Sequence, residues 1–298
     1  MRHSFTYTCA ALLVLGLAAC DTYTQDDYRP EYVVESYLVA GESLPLLRLS
    51  QTAPIDARYT FEDFAVEGAD VRVNLLDETG AVEETYPYVQ TKKGIYEPED
   101  ETAVVQPLRT YALEVRVPGH EEVIRSKTLV PGPFEIVSIS QDTIVYQGAE
   151  QLEAWITSSH HPDREPVYVF TIFAMDTTNY DLTPVYADFA DDDDGLHKVD
   201  FVANSSGLTK EEGFTKHADG TLSIKLPWIL VAFYGPNEIV ANAIDDNLFD
   251  FKRSQLGTGT TSPGEMDNLI DHIEGGRGIF GSMSRARVVI HVNPQGAE

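Results

Sequence analysis

The chain has 298 residues, with 48 acidic against 21 basic side chains, a formal charge of −27, and 43% hydrophobic residues. That length and apolar content suffice for a sizeable core and for two domains, whereas the charge repels polyanions and excludes nucleic acid as a partner. Two cysteines are present, Cys9 and Cys20, which is too few for a disulfide framework or a cysteine-rich metal site.

Arg2, an apolar run over residues 10–17, and the small residues Ala18 and Ala19 before Cys20 form the pattern of a lipoprotein signal peptide. Residues 1–19 are expected to be removed as that signal. The apolar run falls short of the ~20 residues that span hydrocarbon, so membrane contact is expected through acyl chains on Cys20. The processed chain then has no free thiol and depends on core burial for stability. Residues 20–30 read as a lipidated, flexible tether. Within it Gln25, Asp26 and Asp27 are similar to the acidic export signal that sends some Gram-negative lipoproteins to the cell surface, and equally to a plain acidic linker.

From residue 31 the pattern becomes β. Residues 32–39 are rich in β-branched and aromatic side chains, and 46–50 return after a turn through Gly41 and Pro45. Strands are predicted at 69–75, 84–89, 94–96, 110–117 and 122–128, separated by Gly, Pro and Asp turns. Their regular spacing predicts an immunoglobulin-like sandwich over 31–130. Pro131, Gly132 and Pro133 can continue neither a helix nor a central strand, and the domain boundary is placed there.

Residues 134–298 are predicted to form a second β-rich, sandwich-like domain, making the chain all-β. Strands are expected at 134–139, 165–173, 221–226, 238–244 and 285–292. The second of the five, 165–173, is apolar enough to read as a strand buried on both faces. One short helix is expected over 247–254, with Asp245 or Asp246 as its cap.

Gly275, Gly276, Gly278 and Gly281 fall within seven residues. The spacing of the last three matches a dinucleotide fingerprint, but a β-rich segment follows where that fingerprint opens a helix. The cluster is therefore read as a structural turn joining the second domain to its last strand, with no cofactor. The segment 273–281, the opening strand 32–38, the strand entry 68–73 and the segment 243–251 together resemble a family of Gram-negative lipoproteins catalogued as domain of unknown function 4249. The resemblance implies an envelope lipoprotein, often encoded near TonB-dependent receptors, with an immunoglobulin-like first domain. It supplies no catalytic residue, and Arg277 stands where an apolar or aromatic residue is more usual.

Asp191, Asp192, Asp193 and Asp194 precede Gly195, out of register for an EF-hand; a solvated loop and an irregular calcium loop both remain open. His160, His161, His197, His217, His272 and His291 lack metal-ligand spacing, so no metal site is assigned. Trp155 and Trp228 are expected in the core. The sequence is read as a non-catalytic outer-membrane lipoprotein, on the cell-surface or periplasmic face, that binds or assists beside a receptor importing nutrients. Its rivals are an envelope glycan hydrolase and a structural surface protein or adhesin.

Overall fold

The computed structural model describes residues 28–54, 56–162, 164–191, 197–256 and 269–296. Cys20 and most of the tether lie outside these residues, as do Asp192, Asp193 and Asp194.

The first half of the chain contains β1 (Tyr32–Val39), β2 (Leu47–Gln51), a single helical turn α1 (Phe61–Phe64), β3 (Asp70–Leu76), β4 (Val82–Lys92), β5 (Ile95–Pro98), β6 (Thr110–Arg116) and β7 (Ile124–Leu129). Their spatial order is β1-β2-β5-β4-β3-β6-β7. Alternation decides which face turns inward: along β6, Tyr111, Leu113 and Val115 are buried while the residues between them are not. Three core tyrosines satisfy their hydroxyls on the backbone. Tyr96 donates to the Val66 carbonyl at 2.9 Å, Tyr88 donates to the Pro45 carbonyl at 2.9 Å, and Tyr111 accepts from the Gln106 amide at 2.9 Å.

The second half contains β8 (Ile136–Ile139), β9 (Thr143–Val145), β10 (Glu153–Ile156), β11 (Val167–Ala174), α2 (Pro184–Asp191), β12 (Ala203–Ser205), β13 (Thr209–Lys210), β14 (Thr215–Lys216), β15 (Leu222–Lys225), β16 (Gly235–Ile244), α3 (Asp246–Leu256) and β17 (Arg277–Asn293). A four-stranded sheet, β14-β15-β10-β8, packs against β11, β16 and β17. Ile156 and Leu222 from the first layer meet Phe170, Ile239 and Ile290 from the second in one core, which makes this half a sandwich. The fold is all-β.

The longest strand, β17, joins the halves. It runs antiparallel to β16 from Gly235 opposite Val292 to Ile244 opposite Met283, and parallel to β1 from Val33 opposite Arg277 to Val39 opposite Met283. A single 13-stranded sheet results. Two expectations change here. The last strand begins at Arg277, not at 285, because the glycines at 278 and 281 are strand residues. Moreover, residues 134–298 do not keep to themselves: Ile273 and Phe280 lie in the core of the first half.

Candidate functional site

The four glycines mark where β17 meets β1 and α3. Gly275 (φ 73°) and Gly278 (φ 110°) take left-handed backbone conformations, which a β-carbon disfavours. Space is short as well: a β-carbon on Gly276 would stand 2.9 Å from the Tyr32 carbonyl oxygen, and one on Gly278 would stand 2.0 Å from that of Val34. On Gly281 it would meet Leu248 Cγ at 2.6 Å. The turn proper ends before Arg277, and the remaining glycines let β1 and a helix lie close against the strand. Arg277 itself bonds Glu31 through Nε at 3.1 Å and lies 3.8 Å from Asp271; the bond to Glu31 raises its guanidinium pKa further. A charged residue is therefore accommodated at this position by two carboxylates.

Between the two cores β17 turns two serines inward. Ser282 and Ser284 are buried; the Ser284 hydroxyl donates to the Pro131 carbonyl at 2.7 Å, and Ser282 Oγ bonds Thr128 Oγ1. Thr128 Oγ1 also donates to Asp245 Oδ2. The other Asp245 oxygen accepts the Leu248 amide at 2.9 Å, so Asp245 is the N-cap of α3, one of the two residues expected there. Asn247 Nδ2 donates to the carbonyls of Lys127 and Phe280, each at 2.7 Å. Burial pushes the Asp245 carboxyl up to about 6. These polar groups bind β7, α3 and β17 together, and all of them are occupied in doing so.

The opposite face of the same sheet is open. Alternation puts Val169, Thr171 and Phe173 of β11, Val240 and Asn242 of β16, and Met283, Arg285 and Arg287 of β17 on one surface, away from the sandwich core. Helix α3 covers part of this surface through Leu248, which packs with Val167, Val169, Ile244 and Ile279. Beside the helix a groove of about 630 Å³ remains, walled by Phe251 and Lys252 of α3, with Tyr37 of β1 at its other side. The volume falls in the range of small-molecule sites.

Arg285 crosses the groove floor. Its Nε donates to Asn242 Oδ1 at 2.9 Å, and one terminal nitrogen faces the Met283 sulfur at 3.3 Å. Its nearest carboxylate, Glu42, is 3.6 Å away, beyond hydrogen-bond length. Arg287 takes the better share of Glu42 at 3.1 Å and reaches Glu238 at 3.9 Å. Burial lowers the Arg285 pKa, the sign of a cation partly stripped of water. The groove residues were not singled out in the sequence. The signal that could have found them is Arg-Ala-Arg at 285–287, which in a strand places two cations on one face.

The remaining candidates do not converge. His272 Nε2 lies 2.9 Å from Asp250 Oδ2, His217 Nε2 lies 2.9 Å from Ser223 Oγ, and His291 meets the Tyr180 ring. Among the described residues no group of three or more His, Cys, Asp or Glu side chains could hold a metal. Of the acidic run only Asp191 is described, at the end of α2. Trp228 packs on the second core, edge-on to Tyr146. Among the described residues no helix is long and apolar enough to cross a membrane.

No curated protein matches the chain. Among solved structures it is similar to trypsin-activated alpha-2-macroglobulin from Escherichia coli, at 9% identity and a TM-score of 0.23, over 89% of this chain and 16% of that one. It is also similar to a tetra-tandem repeat in the extending region of a large adhesion protein, at 12% identity and a TM-score of 0.22, over 88% of this chain and 49% of that one. A third likeness, at 9% identity and a TM-score of 0.24, is to three N-terminal domains of the Highly Immunogenic Outer Capsid protein of bacteriophage RB49, over 90% of this chain and 71% of that one. The chain thus spans half or less of the first two, and overlays this loose bear on no activity. The family is another matter: residues 21–288 match Domain of unknown function (DUF4249), nearly the whole chain is covered, and the protein belongs to that family.

Proposed function

We propose that this protein is a lipid-anchored, non-catalytic binding component of the outer envelope that works beside a TonB-dependent outer-membrane receptor in nutrient uptake. The observation that carries the binding role is the open groove over β11, β16 and β17, where a partly dehydrated Arg285 has a thioether and an amide oxygen within hydrogen-bond reach and its nearest carboxylate, Glu42, farther off at 3.6 Å. The anchor is supported by Leu17, Ala18, Ala19 and Cys20 in lipoprotein order. A non-catalytic role fits the way the buried polar side chains are used. Asp245 caps a helix, and Glu211 accepts from Ser158 and Tyr168, so these groups serve structure.

The anchor is tested with Cys20→Ser. Metabolic labelling with a radioactive fatty acid should mark the wild type and leave the variant unmarked, and the variant should move to the soluble fraction or stay unprocessed. Label retained on the variant, with unchanged detergent-dependent membrane association, would rule the anchor out. The receptor partnership is tested by capture from membranes solubilised in mild detergent, where a TonB-dependent receptor should copurify with the wild type.

A further inference from the structure

The groove carries a more specific reading, which deepens the binding role above and rests on it. Its floor carries the apolar side chains Val169 and Val240 on one side of the Asn242–Arg285 pair and Met283 on the other, and its cations are Arg285, Arg287 and Lys252. Two acidic groups oppose them, and both are engaged chiefly by Arg287. Lys252 forms no ion pair among the described residues. On a chain of formal charge −27, a groove with three cations facing two carboxylates is a local reversal of sign. Arg285 is the incomplete member. A guanidinium offers five N–H donors in a planar fork, and here the best acceptors are one amide oxygen and one sulfur, a weak acceptor.

We infer that the groove binds a small organic acid, its apolar body on Val169 and Val240 and its carboxylate paired with the Arg285 guanidinium. A carboxylate matches the fork in a two-bond arrangement that the single distant oxygen of Glu42 does not supply. The contacts of Nε with Asn242 and of a terminal nitrogen with Met283 already orient the guanidinium, so little side-chain freedom is lost when the acid binds. A neutral ligand of the same shape would leave the guanidinium no better paired than before, which makes charge the discriminating feature.

The test is isothermal titration of the full chain in non-ionic detergent with 3-phenylpropionate and its neutral amide. The acid should bind saturably at one site, and the amide at least about tenfold more weakly, the usual cost of losing a charged hydrogen bond. Arg285→Gln should weaken the acid by a similar factor. Thr171→Trp, which fills the groove from β11 and gives up a buried hydroxyl bonded to Ser205, should abolish binding in a chain that still melts cooperatively. Absence of saturable binding to the folded wild type overturns the inference, as does equal binding of acid and amide, or undiminished binding to both variants. Failure here alongside successful fatty-acid labelling and receptor capture would remove the ligand class and leave the envelope role standing.

Discussion

A carboxylate buried without a cation beside it is costly to ionise, and Asp245 is in that position: its neighbours are hydroxyls, backbone amides and the like-charged Asp246. In the unfolded chain the group titrates near 3.8, and in the fold near 6. The folded state therefore holds the proton more tightly, and this residue's contribution to stability falls as pH rises from about 4 to about 6. Ionisation costs on the order of 3 kcal/mol by pH 7. Asp245→Asn keeps an oxygen for the Leu248 amide and removes the charge. Its unfolding free energy, measured by urea titration from pH 4 to pH 7, is expected to gain on the wild type steadily across that window; a constant difference would show that Asp245 is not the titrating group.

Among the elements, β17 and α3 come closest where Leu248 lies over Gly281, next to the Asn247 bond to the Phe280 carbonyl. Gly281→Ala is expected to destabilise by about 1–3 kcal/mol through overpacking. Leu248→Ala alone removes a buried side chain and is expected to cost about 2–5 kcal/mol. Combined, the two should cost clearly less than their sum, because the smaller side chain makes room for the added methyl. Additive losses in a double-mutant cycle of chemical denaturation would show that the helix does not rest on this glycine.

This pair also shows how much of the fold was legible. A strand such as 32–39 was legible from its β-branched and aromatic content, and the helix cap to within two residues, Asp245 or Asp246, of which the structure uses Asp245. The start of β17 was not legible, because glycines weaken a strand's own preference and here answer to distant neighbours, the carbonyls of Tyr32 and Val34. Helix α2 went unassigned although Thr183 and Pro184 at its start are a residue pair favoured at a helix N-terminus. The groove was the least accessible of all: its floor comes from three strands and its wall from a helix, and only Arg-Ala-Arg betrays it locally.

At the scale of the whole molecule, the first core is completed by residues from the far end of the chain. Phe280 is fully buried among Leu38, Val73 and Tyr111, so a fragment ending at residue 130 has an open core and an unpaired side of β1. That fragment is expected to lack a cooperative thermal transition, while the full chain melts sharply. A steep, reversible melt of the fragment would show that the first half stands alone.

The pairing of β1 with β17 also sets an order of events during synthesis. Glu31 and Arg277, 246 positions apart, form an ion pair at the mouth of that pairing, and the strand between Arg277 and Asn293 is synthesised after every other described strand of the sheet. Until it arrives, β1 has one neighbour instead of two. Contacts this distant in sequence are slow to form, so the nascent protein stays open until β17 has been made, and a thread that has not yet closed can still be drawn end-first through a narrow channel.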